Sequence, residues 1–214
     1  MPAPEWRIDH DAHELHYRDR TFPCDRCVES MAIWQDHALL LSSDTDCLSL
    51  WDADGLVRIA RVGVYPQDMA LWDGRVLVCG GADCRLHLLT LPDLAPRASL
   101  PLPGMPERIA WGHGDPHILV LATDPEPCTQ VIRVDPEHWT YRARLTLPGI
   151  PGAIAADDSG LWIGVSEQVI HLPDNSSVPD IVIEGIGLAG RIETVPGGVR
   201  ITDSLTSRTL HICT

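Results

Sequence analysis

The sequence predicts an all-β fold assembled from a repeated unit of about 40 residues. A bulky apolar residue followed by a small residue recurs along the chain, at intervals of 38, 40, 45 and 38 residues. The copies are Met31-Ala32, Met69-Ala70, Ile109-Ala110, Ile154-Ala155 and, in a more divergent unit, Ile192-Glu193. A period of this length is typical of repeat architectures. Because the units lack the apolar i, i+3, i+4, i+7 stripe of a helix, we expect them to consist of strands.

Each unit has room for four short strands. The first complete unit has apolar runs at 31–34, 38–41, 47–51 and 56–62, separated by polar residues and Gly. Asp54-Gly55 and similar pairs occupy the hairpin positions. Four strands in about 40 residues predict the blade of a β-propeller and not a helical solenoid. We therefore expect a five-bladed β-propeller, with blades at about 28–65, 66–105, 106–149, 150–188 and 189–214.

The two ends of the sequence are predicted to complete each other. The fifth unit offers only three strands, at 191–195, 198–203 and 207–214. Residues 1–27 are therefore predicted to close the ring, with 6–9 or 15–22 as the missing outer strand of the last blade. Such closure removes a free sheet edge. Residues 1–214 are then expected to form a single β-propeller domain, and a ring closed within one chain favours a monomer.

The middle units also carry a family resemblance. The residues concerned are Val62-Gly63, Pro66, Met69-Ala70 and Asp73-Gly74 in one unit, Pro103-Gly104, Pro106 and Ile109-Ala110 in the next, and Pro148-Gly149, Pro151 and Ile154-Ala155 in the third. These residues resemble the YVTN-type β-propeller repeat of surface-layer-like and lactonase-like proteins, although the Tyr-Val-Thr-Asn run itself is missing. Leu50-Trp51-Asp52 is similar to the blade ending of WD-repeat propellers, the nearest alternative. The resemblance implies the fold and little about activity.

The charge of the chain excludes some partners. Acidic residues number 30 and basic residues 16, all of them Arg, so the formal net charge is −14. An acidic surface repels phosphate backbones, so we expect binding neither to nucleic acid nor to an anionic membrane. The sequence has no basic start followed by an apolar run, and no apolar stretch of the roughly 18 residues that cross a bilayer. We expect a cytoplasmic protein.

Candidate binding residues follow from the predicted repeat. In a propeller the first strand of each blade lines the central channel, and ligands meet the face where those strands begin. The residues at these positions are Glu29, Ser30, Gln67, Asp68, Glu107, Arg108 and Arg191, with Glu193 beside them. This mixed set of charges suits a small polar ligand or a peptide end. Alternatively, the same groups pair with one another and with water in the channel.

Motifs for catalysis or cofactor binding are missing from the sequence. There is no Gly-x-Ser-x-Gly, His-Glu-x-x-His, phosphate-binding glycine loop or EF-hand pattern, so no catalytic residue, cofactor or metal is predicted. Cys24 and Cys27 have the spacing of half a zinc site or of a redox pair, and three readings stay open: zinc ligands, a reversible disulfide and plain thiols. Cys47, Cys84 and Cys128 occupy equivalent places in successive units, which repeat descent explains.

Two functions are compatible with these observations. The first is a non-enzymatic binding or interaction module that presents its channel face to a protein partner or a small polar ligand. The second is a propeller hydrolase or lyase, resembling the lactonase-type enzymes, with its site at the channel mouth. The predicted channel positions contain no histidine, which weighs against a metal-dependent enzyme.

Overall fold

The computed structural model describes residues 6–112, 114–174 and 176–213, which form 22 β-strands. None of these residues belongs to an α-helix, and so the described chain offers no helix that could span a membrane. The strands are grouped in two compact units, Met1–Pro101 and Leu102–Thr214.

The first unit contains three antiparallel sheets in which each strand pairs with the next along the chain. The first sheet comprises β1 (Trp6–Asp9), β2 (Glu14–Tyr17) and β3 (Arg20–Pro23). The second comprises β4 (Val28–Trp34), β5 (His37–Ser42), β6 (Cys47–Asp52) and β7 (Gly55–Arg61). The third comprises β8 (Asp68–Trp72), β9 (Arg75–Cys79), β10 (Arg85–Thr90) and β11 (Ala95–Pro101). The first strands of the last two sheets, β4 and β8, are neighbours.

The second unit repeats this plan with three further antiparallel sheets. The first comprises β12 (Met105–Gly112), β13 (Asp115–Ala122), β14 (Cys128–Asp135) and β15 (Thr140–Pro148). The next comprises β16 (Pro151–Asp157), β17 (Gly160–Val165), β18 (Gln168–Pro173) and β19 (Ile181–Glu184). The last comprises β20 (Ala189–Val195), β21 (Gly198–Asp203) and β22 (Thr209–Cys213). The first strands β12, β16 and β20 lie next to one another in that order.

The core of each unit lies between successive sheets. The second strands carry unbroken apolar runs that are almost fully buried, as at 38–41 in β5, 76–79 in β9 and 161–163 in β17. Consecutive burial means that both faces of these strands are covered, which is why their sequence does not alternate. The burial of such side chains is the main favourable contribution to folding. The all-β character predicted from the sequence is confirmed.

The predicted role of the N-terminal segment is wrong. Strands β1 to β3 pair with one another, Trp6 opposite Tyr17 and Tyr17 opposite Arg20, and form a sheet of their own. In the described residues β22 pairs with β21, and the last sheet has three strands. The cause is local, because the rings of Trp6 and Tyr17 stack at 4.4 Å and pack with Leu40 against the following sheet. The described residues therefore form six sheets, where the sequence predicts five blades.

Candidate functional site

Most of the predicted site residues lie near the beginning of the first strands, but Gln67 directly precedes β8 and Glu193 lies further along β20. Most of these strands are bulged near their beginning. In β4, Val28 lies opposite Ser42 and Ser30 lies opposite Leu41, which leaves Glu29 as an extra residue. Similar register shifts occur at Glu107 in β12, at Gly152-Ala153 in β16 and at Gly190 in β20, whereas β8 is regular. Bulges of this kind re-aim side chains and often lie next to functional sites.

The candidates of the first unit are engaged mainly by their own loops. The Glu29 carboxylate accepts a hydrogen bond of 2.5 Å from the hydroxyl of Ser43, which is buried. Gln67 donates its side-chain amide to a backbone carbonyl 3.2 Å away. One carboxylate oxygen of Asp68 accepts the N–H of the following residue at 2.8 Å. Because β4 and β8 are neighbours, Glu29 and Ser30 lie on the strand beside that of Gln67 and Asp68.

The candidates of the second unit are charged and lie on two strands, β12 and β20, that are not direct neighbours. Arg191 and Glu193 are joined by an ion pair of 2.7 Å, and the Arg191 side chain is 72% exposed. The second Glu193 oxygen lies 3.5 Å from the guanidinium of Arg200 on β21. Arg108 donates to the carbonyl oxygen of Glu107 at 2.7 Å. Since β16 lies between β12 and β20 and has Gly152-Ala153 at this position, no polar side chain from β16 separates the two charged strands.

The possible metal ligands and the cysteines of the described residues do not cluster. Among the residues that the structure describes, no group of three His, Cys, Asp or Glu side chains has the geometry to hold a metal ion. All seven cysteines are free thiols, so Cys24 and Cys27 are not joined. Burial, assisted by the negative charges of Asp25 and Glu14, raises the pKa of the Cys24 thiol. A raised pKa lowers the thiolate fraction and hence the reactivity of this cysteine.

The sequence did not reveal a second set of bulges, on the fourth strands. In β11, Leu88 pairs with Ala98 but Leu89 pairs with Pro96, so Arg97 is the extra residue. The same shift makes Val57 the extra residue in β7 and Arg144 the extra residue in β15. A one-residue change of register leaves no trace in an apolar pattern, so these positions needed the structure to be found.

Arg97 borders a pocket of about 310 Å³ in the first unit, between the end of β7 and strands β10 and β11. Its polar lining residues are Arg61, His87, Arg97 and Ser99, and its buried lining residues, Val62, Leu88 and Leu89, are apolar. The His87 ring nitrogen Nε2 lies 2.8 Å from an oxygen of Asp83. The pocket is therefore apolar inside and cationic at its rim.

A further network surrounds His171, which is buried on β18. Its Nδ1 lies 2.7 Å from Asp180 Oδ1, and its Nε2 lies 3.0 Å from the hydroxyl of Ser159. This order of Ser, His and Asp is that of a nucleophile with its base. However, the Ser159 hydroxyl also lies 2.5 Å from Asp157 and donates its proton there.

Asp157 explains why this network is structural. Its carboxylate also accepts the N–H groups of Ser159 and Gly160 and the indole N–H of Trp162. Burial alone would raise the pKa of Asp157, but these hydrogen bonds outweigh it and lower the pKa. An ionised Asp157 holds the Ser159 proton and both turn amides, which leaves neither an activated hydroxyl nor free N–H groups to stabilise an oxyanion. The network closes the β16–β17 hairpin.

Comparison with solved structures places this architecture among the β-propellers. The streptogramin B lyase structure matches with a TM-score of 0.68 and 14% identity, over 92% of this chain and 71% of that chain. Virginiamycin B lyase from Staphylococcus aureus matches with a TM-score of 0.64 and 14% identity, over 98% of this chain and 74% of that chain. Hydrazine synthase of Kuenenia stuttgartiensis gives a TM-score of 0.74 and 10% identity, over 100% of this chain and 77% of that chain.

These likenesses concern the fold. No family model and no curated protein matches the sequence. At such low identities the shared feature is the all-β propeller architecture, and the activity of the neighbours does not follow for this chain.

Proposed function

We propose that the chain is a non-enzymatic β-propeller binding module that holds a small polar ligand or the end of a peptide at the beginning of its first strands. The observation that carries this proposal is the charged group on β20 and β21. There Glu193 is shared by Arg191 and Arg200, and the outer guanidinium is largely exposed. Both signs of charge are thus presented on rigid, hydrogen-bonded strands.

The weakness of these pairs favours ligand exchange. An ion pair that is open to water contributes only about 0–1 kcal/mol to stability, so a ligand carboxylate displaces Glu193 from Arg191 at little cost. The displaced Glu193 is then available to a ligand ammonium group. Arginine also binds carboxylates with two parallel hydrogen bonds, which gives orientation as well as affinity. A zwitterionic ligand such as a free peptide end fits this chemistry.

The finer expectations about the chain accompany this proposal. The five sheets that follow β3 are consistent with five repeated blades of YVTN type in one domain, with β1 to β3 as an N-terminal addition packed on the first of them. The net charge of −14 supports a protein that avoids nucleic acid and anionic membranes. We propose a cytoplasmic monomer with a protein or small-molecule partner.

Binding of tri-alanine with free ends tests the main proposal. Calorimetry should detect binding that weakens at least tenfold in Arg191→Gln and in Arg108→Gln, and also when either end of the peptide is blocked. Arg208→Gln is the matched control, since this exposed arginine lies outside the charged group. Equal affinity in the wild type and both site variants would overturn the proposal, as would the lack of any binding by the wild type.

The second candidate function is a propeller lyase. The observation that favours it is the fold shared with streptogramin B lyase and virginiamycin B lyase. Incubation of the protein with streptogramin B, followed by mass spectrometry, distinguishes the two functions. Loss of the antibiotic that increases with protein concentration would support the lyase, and an unchanged antibiotic supports the binding module.

A further inference from the structure

The pocket between β7 and strands β10 and β11 has an unusual charge for this protein. The chain has 30 acidic and 16 basic residues, yet the pocket is lined by two arginines and a histidine and by no carboxylate. Within the part of the chain that the structure describes, neither Arg61 nor Arg97 makes an ion pair, a side-chain hydrogen bond or a ring contact. The guanidiniums of Arg61 and Arg97 thus border one pocket without a carboxylate partner among the described residues, although the chain is rich in carboxylates.

The backbone directs both arginines to this place. Arg97 is the extra residue of the β11 bulge, and a bulge turns its side chain away from the regular alternation of the strand. Arg61 is the last residue of β7, immediately before Val62, which is buried in the pocket wall. The two cations therefore come from different sheets of the first unit and border the same cavity.

The remaining polar wall is held in a fixed conformation. His87 is paired with Asp83, and its ring lies against two glycines, since a Cβ at Gly63 or Gly80 would come within 2.9 Å or 2.7 Å of Nε2. Gly63 also has φ of +69°, a conformation that other residues rarely adopt. Ser99, opposite His87 on β11, accepts a hydrogen bond from Arg85. Its own hydroxyl proton is therefore free to be donated into the pocket.

We propose that this pocket binds a small organic anion in which a phosphate or carboxylate is attached to an apolar group. The anionic group pairs with the guanidiniums of Arg61 and Arg97 and accepts the Ser99 hydroxyl proton. The apolar group fills the space beside Val62 and Leu89. The volume of about 310 Å³ lies at the lower end of the usual range for ligand pockets, which limits the apolar part to roughly one ring. This site is separate from the first-strand face proposed above.

Calorimetry with four probes at low ionic strength tests the proposal. Phenyl phosphate and benzoate carry both parts of the ligand, inorganic phosphate carries only the anion, and benzyl alcohol carries only the ring. We expect phenyl phosphate or benzoate to bind tightest, inorganic phosphate to bind more weakly and benzyl alcohol to bind least. Whichever of the two combined probes binds more tightly distinguishes a phosphate site from a carboxylate site.

Variants separate a specific pocket from general attraction. Arg97→Gln and Arg61→Gln should each weaken binding of the preferred probe about tenfold or more, since each removes a charge-assisted hydrogen bond. Arg58→Gln on β7 is the matched control and should leave affinity unchanged. Equal weakening by all three variants, equal binding of benzyl alcohol, or the failure of every probe to bind would overturn the proposal. Arg191→Gln should not affect these probes, so this test fails or succeeds independently of the one for the first-strand face.

Discussion

Arg97 and Arg144 occupy equivalent positions in two different sheets, but the groups around their guanidiniums differ. Each is the extra residue of a bulge on the fourth strand of its sheet. The guanidinium of Arg144 donates to three backbone carbonyls at and after the end of β18, those of Pro173 at 2.8 Å, Asp174 at 2.6 Å and Ser176 at 3.1 Å. The guanidinium of Arg97 borders a pocket and has no such acceptors in the described residues.

The comparison shows that a bulge sets the direction of the extra residue's side chain, whereas the groups around that side chain determine what it does. Around Arg144 the next sheet and the segment after it present three carbonyl oxygens that accept from the guanidinium, so the arginine stabilises the packing of two sheets. Desolvation lowers the pKa of Arg144, as expected for a guanidinium drawn into the protein. Val57, the equivalent residue of β7, is apolar and exposed, which is a third outcome at the same backbone position.

The largest expected effect is on stability when Arg144 is replaced. Arg144→Ala should lower the free energy of unfolding by roughly 3 kcal/mol, because hydrogen bonds to a charged donor contribute about 1.5–3 kcal/mol each and the three carbonyls lose this charged donor. Urea unfolding followed by fluorescence measures this change. Arg142→Ala on the same strand is the control and should change stability by less than about 0.5 kcal/mol. Equal stability of the two variants would show that the carbonyl contacts contribute little.

The second effect concerns the neighbour of Arg144, His117. His117 is buried on β13, and its Nδ1 has no hydrogen-bond partner among the residues that the structure describes. Burial first, and then the positive charges of Arg144 and Arg133 against the opposing charge of Asp115, lower its pKa to about 4. Between pH 6.5 and about pH 4 the unfolded chain therefore binds a proton at His117 that the folded chain excludes. The contribution of His117 to the free energy of unfolding is complete above pH 6.5 and is lost as the pH falls toward 4.

This proton linkage predicts a measurable dependence of the free energy of unfolding on pH. Between pH 7 and pH 5 the free energy of unfolding should fall by roughly 2 kcal/mol on account of His117, at about 1.4 kcal/mol per pH unit below 6.5. Urea unfolding across this range measures the slope in the wild type and in His117→Gln. The variant is expected to be less stable at pH 7 but to have a flatter pH profile. Parallel profiles would mean that His117 has the same pKa in the folded and the unfolded chain.

The regular parts of the fold were predictable from the sequence because they depend on local patterns. The 40-residue period and turns such as Asp73-Gly74 predicted antiparallel strands, and Asp73 and Gly74 both have positive φ in a tight turn between β8 and β9. Which strands pair with one another was harder to predict from the sequence. The sequence predicted a strand at 6–9 or at 15–22 as a partner of the last blade, whereas the strands of the N-terminal segment pair with each other.

The site was predicted only where it follows from the repeat. The positions of Glu29, Glu107 and Arg191 near the start of the first strands follow from the periodic spacing, whereas the bulges there depend on register. The His171 network joins side chains 12 residues before and 9 residues after the histidine, and no short motif encodes that distance. The pocket beside Arg97 combines the end of one sheet with the outer strands of the next, so only folding brings its residues together.

The smallest expected effect is the one that distinguishes the two arginines. Arg97→Ala should change the free energy of unfolding by less than about 0.5 kcal/mol, since it removes an exposed side chain that makes no hydrogen bond to the described residues. Urea unfolding measures this change beside Arg144→Ala, and an unchanged m-value would show that the bulge and the fold are retained.

A loss as large as that of Arg144→Ala would mean that Arg97 stabilises the fold through a partner of its own. It would then be unavailable to a ligand, and the difference between the two bulges would disappear. Unchanged stability with weakened anion binding would instead assign Arg97 to the pocket and Arg144 to the fold.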